Sequence, residues 1–151
     1  MRKNLKIYNR LSRSPLGRWL FDWGVCFMAP YFKSIKPRFL ELKPGRAVIT
    51  IKKRRAVTNH LKTVHAIAMC NMAELVGGMV TDVSVPDKAR WIPTGMTVKY
   101  LKKAKTDLTA VANAESVDWS TAGEKLVNVD VTDTDNNVVF NAVITFNVRH
   151  D

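Results

Sequence analysis

The sequence predicts an α+β domain in which an antiparallel sheet curls around one long buried helix. The run "NHLKTVHAIAMCNMAELVGG", residues 59–78, is apolar on nearly every side at helical spacing, so such a helix must be covered on nearly every side. Near the C-terminus, Val127, Val129 and Val131 alternate with Asn128, Asp130 and Thr132. Beyond an Asp135-Asn136-Asn137 turn, Phe140, Ala142, Ile144, Phe146 and Val148 alternate in the same way. The whole chain reads as helix, two strands, buried helix, four strands.

Each element has its own signal. Ser12 or Ser14 can cap the first helix, with Pro15 in its first turn. Leu16, Trp19, Leu20, Trp23 and Phe27 then recur at helical spacing and are expected to pack on the domain, with an interfacial membrane contact as the alternative. The basic stretch before this apolar run resembles a secretory signal superficially. Asp22 interrupts the run, no small-x-small cleavage site follows, and the run falls short of the roughly 20 residues of a membrane span. Pro30 and Pro37 bracket a short irregular piece. Two strands follow, "RFLEL" and, after Pro44-Gly45, "RAVITIKKRR".

The central helix is expected from about Thr63 to Met79, with Gly77-Gly78 ending it. "TDVSVPDKARWIPTG" reads as a loop, "MTVKYLKKAK" as a strand, and "LTAVANAESV" as the next strand after a Thr106-Asp107 turn. There are no repeats or low-complexity segments. The expected organisation is a single domain, with residues 1–36 as a helical extension and 37–151 as the core.

Composition sets limits on function. A chain of 151 residues with 46% hydrophobic and 25% charged residues has room for one proper core. Two cysteines without metal-site or disulfide spacing point to a reducing, cytoplasmic setting, and no metal site is expected. Lys and Arg number 24 against 13 Asp and Glu, a net charge of +11 that attracts polyanions. No aromatic-basic platform or known binding module directs that charge to nucleic acid.

The residue that asks for an explanation is Glu74, set among Ile67, Met69, Met72, Leu75 and Val76. A carboxylate left unpaired in apolar surroundings is costly, so Glu74 either lies on a wet stripe or has a chemical task. Asn59 stands six residues before His65, and His65 nine before Glu74. Those intervals, the strand order and the segment "MTVKYLKKAKTDLTAVANAE" resemble the hotdog-fold thioesterase superfamily over roughly residues 38–149. Many of its members carry Asn, then His-Gly-Gly, then an acidic residue at this spacing. This chain has Ala66-Ile67 in place of the two glycines. That departure and the long N-terminal helix suggest a divergent branch of the acyl-CoA thioesterases.

The resemblance implies hydrolysis of an acyl-CoA or related acyl thioester. Glu74 would be general base or nucleophile, and the backbone N–H groups of Ala66 and Ile67 at the positive helix end would receive the oxyanion. Asn59 and His65 would hold the water or carbonyl, and Thr94 is a further candidate for a water contact. No cofactor is implied beyond the coenzyme A carried by the substrate, whose phosphates Lys53, Arg55, Lys99, Lys102 and Lys103 could meet. His60 lies fourteen residues before Glu74, an interval of the hotdog acyl dehydratases, but the proline-rich stretch of those enzymes is missing. Nine helical residues rise about 13.5 Å and turn about half a revolution, so His65 and Glu74 of one chain cannot meet at one carbonyl. The site therefore implies a homodimer or dimer of dimers. A non-catalytic acyl or lipid binder, in peripheral contact with a membrane, is the alternative.

Overall fold

Ser14 starts the long N-terminal helix by accepting the Gly17 N–H on its hydroxyl (3.1 Å), with Pro15 at the first helical position. The computed structural model describes residues 1–150. A helix not anticipated from the sequence, α1 (Lys3–Leu11), precedes this one, α2 (Pro15–Met28). A 3₁₀ turn at Pro30–Ser34 leads into β1 (Arg38–Lys43) and β2 (Arg46–Ile51). The central helix α3 (Ala66–Ser84) is followed by β3 (Arg90–Tyr100), β4 (Leu108–Asn113), β5 (Gly123–Thr132) and β6 (Val138–Arg149).

The six strands form one antiparallel sheet in the order β1-β2-β4-β5-β6-β3. The alternation read from the sequence sets the inner face: Val127, Val129, Val131, Ala142, Ile144 and Phe146 are all buried. Met69, Met72, Leu75, Val76 and Val80 of α3 are buried in the same core. By length and composition α3 could cross a membrane, yet it is a core helix inside this sheet.

Two expected element boundaries change first. Gly77-Gly78 do not end α3, which runs on to Ser84. A Cβ on Gly77 would lie 2.7 Å from Ile144 Cδ1, and one on Gly78 3.2 Å from Trp91 Cη2, so these glycines allow close helix–sheet approach. The strand expected from Met96 instead begins at Arg90, because its N-terminal half pairs with β6 from Arg90↔Arg149 onward. Pro93, which has no N–H to donate, sits at a register shift between Pro93 and Gly95.

The N-terminal hairpin is clamped at both ends. Asp82 of α3 receives the Arg2 guanidinium (2.9 Å), the Asn4 amide (2.8 Å) and the Trp91 indole N–H (3.3 Å). At the other end, buried Asp22 accepts the Phe39 N–H of β1 (3.0 Å), and Tyr8, Phe21 and Phe39 stack edge to face at 5.1 and 5.2 Å. This explains the acid inside the apolar run: it ties α2 to the sheet. Burial pushes the Asp22 carboxyl up to about 6, against the lowering effect of the Phe39 N–H. The inward face of α2 is consequently Gly17, Phe21 and Asp22. The stripe expected to pack on the domain, Leu16, Trp19, Leu20, Trp23 and Phe27, faces outward.

Candidate active site

The approach to α3 is built by Asn59. Its Oδ1 accepts the N–H groups of Leu61 (3.0 Å) and Thr63 (3.2 Å), while its Nδ2 donates to Thr63 Oγ1 (2.9 Å). Such side-chain closure of a turn is a common use of asparagine. The chain is then pinned on both sides: Val64 N–H donates to Ala104 O and His65 N–H to Val57 O, each at 2.8 Å. His65 caps the helix, its Nδ1 accepting the Ile67 N–H at 3.1 Å. The Ile67 N–H, expected to be free for an oxyanion, is therefore occupied within the chain. Among the described residues the Ala66 N–H has no acceptor.

The same two pins bring basic segments beside the helix start. Lys53 donates from Nζ to Lys105 O (3.0 Å) and from its backbone N–H to Asp107 Oδ1 (2.8 Å). Lys102 donates to Asn137 Oδ1 (2.9 Å). Arg55, Lys99 and Lys103 are exposed and form no ion pair among the described residues.

Glu74 sits two and a half turns further on and is exposed, with no hydrogen-bond or ion-pair partner among the described residues. It lines an open cavity of about 840 Å³ between α1, α2, α3 and the start of β3. Leu75, Met79, Leu20, Trp23, Trp91 and Phe146 make much of the apolar wall, and Glu74 is the one carboxylate in it among the described residues; Lys3 and Asn4 stand at a polar margin. Trp91 is placed there by the open side of Gly78 and by the Asp82 hydrogen bond. The cavity was not legible in the sequence, since residues of α1, α2, the 3₁₀ turn, α3, β3 and β6 enclose it.

Thr94 follows Pro93, a cavity residue, at the irregularity in β3, and its hydroxyl donates to Thr145 O (3.3 Å). A further polar residue lies one helical turn before Glu74. Asn71 is buried, with Nδ2 donating to Ser34 Oγ (3.0 Å) and Oδ1 unpartnered. Its signal in the sequence was an amide within an otherwise apolar helix. Cys70 Sγ lies 3.6 Å from the Tyr100 hydroxyl, a contact that raises the Tyr100 pKa. Among the described residues no cluster of His, Cys, Asp and Glu could hold a metal ion.

One chain thus gathers Asn59, His65, Ala66 and Ile67 with the basic segments at one end of α3, and Glu74 with the apolar cavity at mid-helix. The two groups are separated by about 13.5 Å of helical rise.

The sheet order around a long central helix defines the hotdog fold, which solved structures share. A genomics target described as APC5556 is 44% identical, with a TM-score of 0.89 and 98% of each chain covered. A protein of unknown function from Pseudomonas aeruginosa, carrying the description probable thioesterase, is 20% identical with a TM-score of 0.75, over 84% of this chain and 91% of that one. A thioesterase from Haemophilus influenzae is 11% identical with a TM-score of 0.71, over 80% and 82%. Residues 17–148 match the family described as DUF4442, a domain of unknown function, and the chain belongs to that family. No curated protein matches the chain.

Proposed function

We propose that this chain is a thioester hydrolase acting on acyl-CoA or a closely related acyl thioester. The observation that carries the reading is Glu74, among the described residues the one carboxylate in the wall of an otherwise largely apolar cavity of about 840 Å³. Such a cavity suits an acyl group, and an unpartnered carboxylate at its edge suits work at the carbonyl. Glu74 takes a proton from water as the water oxygen bonds the carbonyl carbon; the C–S bond then breaks and the sulfur takes that proton back from Glu74, leaving as the thiol and regenerating the carboxylate. Direct attack by Glu74 through an acyl-enzyme anhydride is the other route open to the same group.

The oxyanion falls to the helix start, where the Ala66 N–H has no acceptor among the described residues and the dipole is positive. In this reading the Ile67 N–H joins it only if the His65 imidazole turns away. Asn59 shapes the loop, His65 contacts the carbonyl or water, and Thr94 holds water near the cavity. Lys53, Arg55, Lys99, Lys102 and Lys103 meet the phosphates of coenzyme A around the helix start.

Because Glu74 and the helix start of one chain lie too far apart, the working unit is a homodimer or dimer of dimers that combines Glu74 of one protomer with the helix start of its partner. The edge strand β3 supports this, with Ile92, Met96 and Tyr100 exposed at the free edge of the sheet. The proposed setting is cytoplasmic.

Non-catalytic acyl binding is the second reading, favoured by one observation: the Ile67 N–H is already occupied by His65. An acyl-CoA panel with released thiol measured for wild type and Glu74→Gln separates the two. Turnover that requires Glu74 supports the hydrolase, whereas saturable binding without thiol release at any chain length supports the binder.

A further inference from the structure

The outward face of α2 has no use in the proposed chemistry. Leu16 and Phe27 are each 68% exposed, and Trp19 and Trp23 each 53%. Trp23 and Phe27 stack on each other at 5.2 Å, with ring planes 18° apart, instead of turning into the core. With Leu20 and Met28 of α2 also exposed, and Tyr31 in the 3₁₀ turn that follows, this side presents a continuous apolar and aromatic strip to the outside. Scattered apolar residues on a surface are ordinary, but a contiguous strip of this kind marks a contact site.

Charge decides between the two simplest occupants. Residues 1–36 hold eight Lys or Arg and a single acid, Asp22. That acid is buried on the opposite face of α2 and bonded to the Phe39 N–H. Arg10 and Arg13 precede α2, Lys33 and Lys36 follow it, and all four are exposed with no ion pair among the described residues. Pairing two copies through this strip would bring two basic rims together, and residues 1–36 supply no exposed acid between them; Glu74, at the cavity edge, is a single acid against the eight basic residues of that segment. An anionic lipid surface reverses the sign of that interaction, and Trp and Tyr favour the headgroup depth of a bilayer.

We infer that α2 docks the protein on anionic membranes, with the Leu16–Trp19–Trp23–Phe27 strip in the interface and the basic residues at its two ends on lipid headgroups. The docked helix lies in the membrane plane, held by its apolar face and by charge. Leu20, Trp23 and Met28 belong both to this exposed side and to the wall of the cavity holding Glu74. Docking therefore turns the cavity rim toward the acyl layer, from which an acyl chain can enter without crossing water. The docking does not depend on the hydrolytic reading, because a bilayer meets the strip whether or not Glu74 turns over a thioester.

Co-sedimentation of the full chain with vesicles of phosphatidylcholine, or of phosphatidylcholine mixed with phosphatidylglycerol, tests the inference. The expected result is binding to the mixed vesicles that weakens with salt. A combined Trp19→Ser, Trp23→Ser and Phe27→Ser variant should lose at least about tenfold in partitioning, and Arg10→Glu with Arg13→Glu should also weaken binding. Brominated acyl chains should quench the tryptophan fluorescence of wild type, a readout that stands even if the triple variant fails to fold. Wild type remaining unbound would overturn the inference, as would equal binding to neutral vesicles, or a folded triple variant that binds unchanged. A strip whose substitution breaks up an oligomer and leaves vesicle binding intact would assign the surface to a second copy instead.

Discussion

The start and the middle of α3 solve opposite problems. At the start, nearly every polar group is already used: Asn59 closes its turn, and His65 caps the helix through Ile67. At mid-helix, Glu74 has no partner among the described residues and borders an apolar cavity. Saturated hydrogen bonding makes a rigid frame, whereas an unpartnered carboxylate beside apolar walls keeps its capacity for a new proton or substrate. The difference separates what holds the helix from what is left over for chemistry.

The sharpest way to break this comparison is to exchange the roles. Glu74→Gln should lower thioester hydrolysis by at least about a hundredfold while leaving the unfolding midpoint nearly unchanged. Thiol release and denaturant unfolding on the same preparation check both halves; full turnover in a folded variant removes Glu74 from the mechanism.

The wall opposite Glu74 depends on Asp82, which holds Arg2, Asn4 and Trp91 together. Asp82→Ala removes the acceptor of the Asn4 amide and the Trp91 indole N–H and the counter-charge of Arg2, whose guanidinium keeps the carbonyls of Asp82, Asp87 and Ala89, and should cost about 1–2 kcal/mol of stability. Hydrogen exchange should show α1 opening before the sheet. Uniform protection across α1 and the sheet would mean that the apolar contacts of the hairpin suffice.

Asp22 gives the comparison a pH axis. Its folded-state pKa of about 6 lies above the ordinary carboxyl value of 3.8, so the folded chain binds more protons between those limits. Its contribution to stability is thus fullest below about pH 4 and declines as the pH rises through about 6. Asp22→Asn retains an acceptor for the Phe39 N–H without that decline. The variant should gain on wild type by up to about 2 kcal/mol as pH rises across this window, measured by urea unfolding at several pH values. A stability difference that stays constant with pH would show that Asp22 does not titrate there.

Next in size comes the helix cap. His65→Ala should cost about 1 kcal/mol of stability, the usual worth of a side-chain N-cap, and free the Ile67 N–H. If His65 is chiefly a frame residue, turnover per folded molecule should fall far less than with Glu74→Gln. An equal loss of kcat would move His65 into the chemistry. The smallest effect is expected from charge reversal at Lys102 and Lys103: a severalfold rise in KM for CoA esters with kcat unchanged, shrinking as salt is added. An equal effect on short thioesters without the nucleotide would show that these lysines do not read its phosphates.

Much of the scaffold could be read along the chain because its signals are local. Alternation in Val127–Val131 and Phe140–Val148 is the face pattern of the sheet, and the apolar length of α3 requires a cover on all sides. The Asn59–His65–Glu74 spacing was equally visible. By itself, however, it could not say that Asn59 and His65 spend their polar atoms inside the chain, because that follows from backbone torsions at the helix entry.

Other features were decided only by the tertiary structure. Which side of α2 turns inward depends on a backbone N–H at Phe39 and rings at Tyr8 and Phe39, all outside the helix itself. A helix apolar on two sides carries no local record of that choice. The paired glycines at 77 and 78 read as a stop, yet α3 continues because Ile144 and Trp91 press against them from distant strands. The cavity beside Glu74 likewise exists only where α1, α2, α3, β3 and β6 meet. Periodicity records that a residue is to be covered; what covers it, and what remains open, is set by contacts far apart in the chain.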